Sequence, residues 1–482
     1  MKNSFRHVPG NERKKILLLC DDIRMSSGIG NMGKEFVLNS LQHFDWINIG
    51  AGIQHPENGK FLDISEEARK LTGVEDADLK VIPFNGYGNA TFLRQLLDSQ
   101  KPDAVMIFTD PRYWVWLFDI EREIRSKVPI IYLNIWDDFP APLWNRPFYD
   151  SVDTLLAISK QTKLINELVL GGRAENKLIK YVPHGVDETV FRPVNENDSE
   201  YQEFLQVKDS VFEGRDIEFT VFYNSRNVRR KSTSDLILAY KFFCDSIGKE
   251  KAKKCALILH TEPSFDAGTD LVAVRDAICD PEYINVFFST NRLEQKQLNF
   301  LYNLADVTVL PSSNEGWGLS LTESVMAGTM IVANMTGGMQ DQMRVVDDEG
   351  NWFTPTPEIP SNHRGTFGKN GEWAVPVYPT TLHLVGSPPT PYIFDDTCSA
   401  EDIAAAIETV YDLSPKERSD RARKGRAWMT SDEAGMTAKQ MTNSIIEAID
   451  ETIENFKPRA KFELIKVEDL EKDLVPHKLT GY

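Results

Sequence analysis

Short apolar runs recur along the chain with helical spacing between most of them, and this alternation limits the fold more than any other feature. KKILLLC from Lys14, WINIG from Trp46, LKVIPF from Leu79, AVMIF from Ala104, PIIYLNI from Pro129, TLLAIS from Thr154 and IKYVPHG from Ile179 make a first series. IEFTVFY from Ile217, ALILHT from Ala256, INVFF from Ile284, ADVTVL from Ala305 and MIVANM from Met330 make a second. Runs that are apolar at nearly every position belong to strands covered on both faces, and strands joined through helices lie parallel. The expected class is α/β, with doubly wound parallel sheets. In such sheets ligands gather beyond the carboxyl ends of the strands, so the chemistry is sought there.

At 482 residues there is room for two cores. The expected division is 1–195 and 196–445, with 446–482 a helix and tail packing back on the first domain; the polar run from Asn195 to Glu203 reads as a linker. No apolar run approaches the roughly 20 residues of a membrane span, and the opening MKNSFRHVPGNERKK lacks an apolar signal core, so a cytoplasmic protein without a transmembrane segment is expected. Five cysteines without Cys-x-x-Cys spacing argue against a disulfide framework and against a zinc site. A net charge of −18 disfavours nonspecific adhesion to nucleic acid or anionic lipid, while leaving room for a local basic groove.

The most informative stretch is 305–335, which reads as strand, Gly-broken turn, short helix and strand. In the turn Glu315-Gly316-Trp317-Gly318, two residues without Cβ let backbone N–H groups at a helix start, beginning at Leu319, come close to an anion. Glu323 lies inside that helix among Leu319, Leu321, Val325, Met326 and Ala327. A carboxylate so covered needs hydrogen-bond donors, which a ribose diol would supply. A second anion site is suggested by Asn224-Ser225-Arg226-Asn227-Val228-Arg229-Arg230-Lys231, with four cations in six residues after a strand. Ser232 followed by Asp235 reads as an N-cap opening the next helix.

Weaker signals lie nearer the N-terminus. Gly28 and Gly30 follow a strand and open a helix, an anion cradle in outline. Asp21-Asp22, Asp110 with Arg112-Tyr113-Trp114, and Trp136-Asp137-Asp138 put carboxylates and aromatics at three strand ends, a mixture suited to sugars. His184 reads as a turn residue rather than a ligand.

Glu, seven residues, Glu, in the setting PSSNEGWGLSLTESVMAGT, resembles the signature of glycosyltransferase family four, the retaining group 1 enzymes of GT-B fold. That resemblance implies two Rossmann-like domains facing a cleft and a nucleotide-sugar donor, expected to be UDP-linked, with no metal or other cofactor. Carried over by position, it implies that Glu323 binds the ribose and Glu315 lies against the donor sugar. Arg226 and Lys231 would grip the diphosphate, and the turn Gly316, Trp317, Gly318, Leu319 with Gly28 and Gly30 would border the donor. Micromolar binding takes about 8 kcal/mol, against about 1.5–3 per charge-assisted hydrogen bond, so the two cations need the turn and Glu323 as well.

The chain departs from the family pattern after PIIYLNI, where many members have a His. Asp137 or Asp138 stands there, and with Asp110 these are the expected acceptor-side residues. The Gly337-Gly338 turn resembles the family's, with its usual Glu replaced. Residues 348–397, rich in Pro, Gly and aromatics, read as a long acceptor-side or dimer-contact loop. The acceptor stays open among a glycan, a lipid-linked sugar, a protein and a modified DNA base. A GT-B phosphorylase and a catalytically silent sugar-nucleotide sensor are the rival readings, and the oligomeric state is not legible.

Overall fold

The computed structural model describes residues 7–460, which form two compact units. One unit takes the chain up to Gly185 and again from Thr437; the other is Val186–Met436. The chain thus passes between units at 185/186 and 436/437, where the sequence reading put boundaries at 195 and 445. Gly185 is required at the first crossing, since a Cβ there would lie 2.2 Å from the Thr437 carbonyl oxygen.

The first unit contains β1 (Lys14–Asp21), β2 (Phe44–Ala51), β3 (Leu62–Asp63), β4 (Leu79–Pro83), β5 (Ala104–Phe108), β6 (Ile130–Asn134), β7 (Thr154–Ala157) and β8 (Leu178–Tyr181). Their order is β3-β4-β2-β1-β5-β6-β7-β8, and only the two-residue β3 runs antiparallel. Ile16 to Cys20 of the central β1 are wholly buried, as a strand covered on both faces must be. The order reverses between β1 and β5, which is the switch point of this sheet. The helix Ala438–Asn455, opened by a Thr437–Gln440 capping box, packs on the helix Gly28–Asn39 of this same unit. Hydrogen bonds from His43 to Asp450 (2.8 Å) and between Thr154 and Thr452 (2.6 Å) fasten it.

The second unit contains β9 (Phe219–Asn224), β10 (Cys255–His260), β11 (Asn285–Ser289), β12 (Val307–Leu310), β13 (Met330–Asn334) and β14 (Ala374–Val377), all parallel in the order β11-β10-β9-β12-β13-β14. Its switch point lies between β9 and β12. Both units therefore have the expected parallel α/β architecture. The five cysteines are buried free thiols. No described helix is long and apolar enough to cross a membrane.

Residues 348–397 are not one long loop. They supply the edge strand β14 and then an antiparallel hairpin, β15 (Thr381–Ser387) with β16 (Thr390–Thr397). The hairpin's first strand is largely exposed, with Leu384 and Val385 open to solvent.

Candidate functional site

The loops that leave β9 and β12 meet at the switch point of the second unit. After β9 the chain runs through Arg226 and Asn227 into a 3-10 turn, Arg229–Lys231. Asn227 is buried and latches this loop to its neighbour, donating to the carbonyls of Glu262 (3.0 Å) and Thr269 (2.7 Å). Ser232 closes the turn and stands at the N-cap of the next helix in the left-handed region at φ 51°, where its side chain caps no backbone N–H but bonds the Asp235 carboxyl. Ser232 thus occupies the expected N-cap position with Asp235 as its partner, without the side-chain bond to a helix N–H that an N-cap serine usually makes.

The loop after β12 is stitched to this one. Ser313 N–H donates to the Arg230 carbonyl (2.8 Å), and the Arg230 guanidinium donates to the Asn314 carbonyl (2.8 Å). Arg230 also donates to the Glu315 carboxylate at 2.9 Å, and Lys231 Nζ meets the same oxygen. Lys231 and Glu315 are largely desolvated while Arg230 reaches the same carboxylate from the exposed side, so two cations meet one carboxylate. Burial alone would raise the Glu315 carboxyl, but the charges of Lys231 and Arg230 outweigh it and hold it below its ordinary value. Glu315 is thus ionised at neutral pH and the cluster carries a net positive charge.

A second turn pins the first. Gly338 N–H donates to the Glu315 carbonyl (3.0 Å); a Cβ on Gly337 would lie 2.2 Å from that oxygen, and one on Gly338 2.1 Å from the Gly316 carbonyl. The Gly-Gly pair is there for backbone approach. Gly318 starts the helix Leu319–Ala327 at φ 87°, and no side chain caps that helix. Its first N–H groups stay available, while half-buried Leu319 makes the first turn. The Trp317 side chain is 3% exposed and its indole donates to Thr322 (2.9 Å), so the ring belongs to the core and it is the backbone of Trp317 that lines the turn.

Glu323, one helical turn on, accepts from Tyr302 (2.6 Å), whose hydroxyl in turn accepts from Asn224 (2.9 Å). Burial raises the Glu323 carboxyl from 4.5 to about 7, against the lowering effect of the Tyr302 bond. The folded state then holds a proton that the unfolded state releases, so stability falls as pH rises from about 4.5 to about 7 and stays lower above that. Glu323→Gln, neutral throughout, is expected to remove this loss. Its unfolding free energy from urea titration should match the parent near pH 4.5 and exceed it at pH 8 by about 2 kcal/mol, after allowance for partial exposure. An equal difference at both pH values would contradict the burial argument.

The hairpin is anchored on the same turns. Asn334 Nδ2 donates to the Asp396 carbonyl (2.7 Å), Thr336 Oγ1 to the Asp396 carboxylate (2.5 Å), Asp396 N–H to the Ser313 carbonyl (3.0 Å), and Asn314 Nδ2 to Asp395 (2.7 Å). Nothing in the sequence pattern marked Asp395 and Asp396, or the Tyr302–Asn224 pair, as partners of this site. Arg226 differs from Lys231 in being exposed, with its guanidinium 5.3 Å from the Phe265 ring centre. Beyond Arg229 a cavity of about 140 Å³ is lined by Asn227, Ser232, Thr233 and Gly268 among others.

In the first unit, Gly30 is a packing glycine: a Cβ would lie 2.7 Å from the Met25 carbonyl, and its N–H is taken by Ser27 (2.9 Å). Gly28, at the helix start, is exposed. The expected two-glycine cradle is therefore reduced to Gly28, since Gly30 has no N–H to give. Asp110 caps the 3-10 turn Pro111–Trp114 and accepts from Arg112 N (2.9 Å) and Nε (2.9 Å), forming a local ion pair. Asp137 and Asp138 are half-buried, and their backbone carbonyls accept from Gln161 and from the Trp136 indole (2.8 Å). His184 is buried rather than turned outward: it packs edge-on to Phe108 at 5.8 Å, and burial lowers it to about 3, leaving it neutral at physiological pH.

Solved structures with the same fold span nearly the whole chain. The Anabaena protein HepE, in complex with UDP and glucose, is 14% identical with a TM-score of 0.61, over 91% of this chain and 100% of its own. A sucrose-phosphate synthase from Thermosynechococcus elongatus is 14% identical with a TM-score of 0.60, over 92% and 100%. An alpha,alpha-trehalose-phosphate synthase (UDP-forming) from Burkholderia xenovorans, in complex with glucose-6-phosphate, is 11% identical with a TM-score of 0.61, over 90% and 100%. At these identities the likeness establishes the GT-B fold alone. No curated protein matches the sequence. Residues 274–359, which carry Glu315, the glycine turn and Glu323, match the family model of glycosyl transferases group 1.

Proposed function

We propose that the protein is a retaining glycosyltransferase that moves a hexosyl or pentosyl unit from a UDP-linked sugar to an acceptor, with no cofactor beyond the nucleotide sugar. The observation that carries this reading is the convergence of Lys231, Arg230 and Glu315 at the β9/β12 switch point, beside an uncapped helix start and one helical turn from Glu323. Cations fixed in a desolvated place act on charge that develops as a diphosphate leaves. Lys231 and Arg226 neutralise that group, Glu315 orients the donor sugar, and Glu323 accepts from the ribose hydroxyls. Two hydroxyl donors favour the ionised form of Glu323 and so lower its raised pKa as the donor binds. Asp110, Asp137 and Asp138 serve the acceptor.

The donor relation is supported by the UDP and glucose named for HepE and by the group 1 model over the two glutamates. The test is a melting panel of UDP-sugars. A donor at 100 times its dissociation constant adds about 2.7 kcal/mol, a rise of roughly 5–10 °C for a unit of this size. The same samples should release UDP slowly without acceptor. A panel in which no UDP-sugar shifts the melting point and none yields UDP would remove the reading.

A further inference from the structure

The hairpin of β15 and β16 presents a bare strand edge. Among the described residues β15 pairs with β16 alone, and every residue of Thr381–Ser387 except Leu382 is exposed. Leu384 is 65% exposed and its neighbour Val385 40%, two of the few large apolar side chains left open to water. The hairpin is nevertheless held at its foot, where Asp395 and Asp396 of β16 bond Asn314, Thr336 and Ser313. An edge so preorganised loses little freedom when another strand joins it. A two-stranded ribbon is marginal in water by itself and gains from widening.

Charge says what can lie against this edge. Exposed edge strands are ordinarily guarded by lysines or other charged side chains. Here residues 373–394 include no Asp, Glu, Lys or Arg, in a chain that is 26% charged and carries −18 overall. Two copies of so acidic a protein repel over most of their surfaces, and a stretch without charge is where they can approach. The nearest carboxylates, Asp395 and Asp396, sit on β16. With two β15 strands side by side each β16 lies on the outside, three strand spacings or about 14 Å from its counterpart, beyond a Debye length at physiological salt.

The edge is also its own complement. An antiparallel pairing of Thr381–Val385 with the same segment of a second copy, centred on His383, sets Leu382 opposite Leu384 and Thr381 opposite Val385, with the two His383 facing each other. Leucine then meets leucine on one face, and β-branched side chains meet on the other. Centring on Leu384 instead would set Leu382 opposite Gly386 and Val385 opposite His383, so the register is specified. The pairing of β15 with β16 itself slips between Val385 and Ser387, which ends the regular edge there and limits a partner to Thr381–Val385.

We infer that the edge Thr381–Val385 docks the same edge of a second copy of this chain, antiparallel about a two-fold axis at His383, and so builds a four-stranded sheet. The contact is about 17 Å long and well short of a standard interface, so the dimer is weak and concentration-dependent. It stands whether or not the protein transfers a sugar. Sedimentation velocity on the full chain from about 1 to about 300 µM should show a monomer–dimer equilibrium. Leu384→Lys sets two like charges near the axis and should weaken the dimer by about tenfold or more, at a parental melting point because Leu384 is exposed. His383→Cys supplies an exposed thiol, the five native cysteines being buried. It should crosslink two chains under mild oxidation, since facing residues of an antiparallel pair stand within disulfide reach. Ser387→Cys should not, its two copies standing about 27 Å apart. Raising sodium chloride from about 0.05 to about 0.5 M should tighten the dimer by screening the net charge. A monomer at every concentration overturns the proposal, whatever else the hairpin binds. So does a dimer indifferent to Leu384→Lys, one that salt dissociates, or equal crosslinking at the two cysteine positions.

Discussion

Lys231→Ala is expected to cut UDP-sugar turnover by about 10²–10³-fold, the scale seen when one preorganised donor is removed from developing charge. Lys231 is the buried cation of the cluster, and its ammonium has no solvent shell to weaken its field. The fold should survive. Removing one partner of a fully buried ion pair costs about 3–5 kcal/mol, but Arg230 still reaches Glu315 at 2.9 Å, so a loss of about 1–3 kcal/mol is expected. Lys231→Arg should recover stability better than rate, since a planar guanidinium keeps the charge but not the point position of the ammonium. Arg226→Ala is the useful contrast. Arg226 is exposed, so its charge is screened and its removal should raise the donor KM more than it lowers kcat. UDP release from UDP-glucose, measured beside urea unfolding, checks both statements; near-parental rates for Lys231→Ala with a weakened fold would make the cluster structural only.

The strands were legible because a buried parallel strand must be apolar on both faces. KKILLLC became β1, ALILHT β10 and MIVANM β13, each nearly where the runs lie. Turns with glycine pairs were legible too, and the two loops that carry Glu315 and Lys231 do meet. What stayed hidden depends on contacts between segments distant in sequence. Trp317 is placed in the turn by the glycines on either side of it, but only packing shows its ring buried on Thr322. Arg230 and Lys231 are indistinguishable as letters in a basic run, yet one is exposed and the other enclosed. The hairpin of residues 381–397 escaped because its strands bury little and Pro388-Pro389 at its tip reads as loop, while its hold on the site comes from Asp395 and Asp396 at its base. Asp110 looked like a free carboxylate at a strand end, but an arginine two residues on occupies it.

Gly338→Ala should destabilise the second unit by about 3 kcal/mol, although the backbone there is ordinary for alanine at φ −71°. The added methyl would stand 2.1 Å from the Gly316 carbonyl oxygen and 3.0 Å from the Trp317 Cα, and both are main-chain atoms that cannot rotate away as a side chain would. Relief requires one of the two turns to move. Gly338 N–H is bonded to the Glu315 carbonyl, so the displacement is delivered to the residue that Lys231 and Arg230 hold. Two losses are therefore expected together: a lower urea midpoint and a melting shift with UDP reduced to near zero. Gly172→Ala is the control. Nothing lies within 4 Å of its added carbon and its φ is not positive, so it should stay within about 0.5 kcal/mol of the parent and keep the full UDP shift. A Gly338→Ala protein as stable as the parent would mean that the two turns do not touch as closely as described; one that is unstable yet binds UDP normally would mean that the glycine pair supports the sheet edge and has no part in placing Glu315.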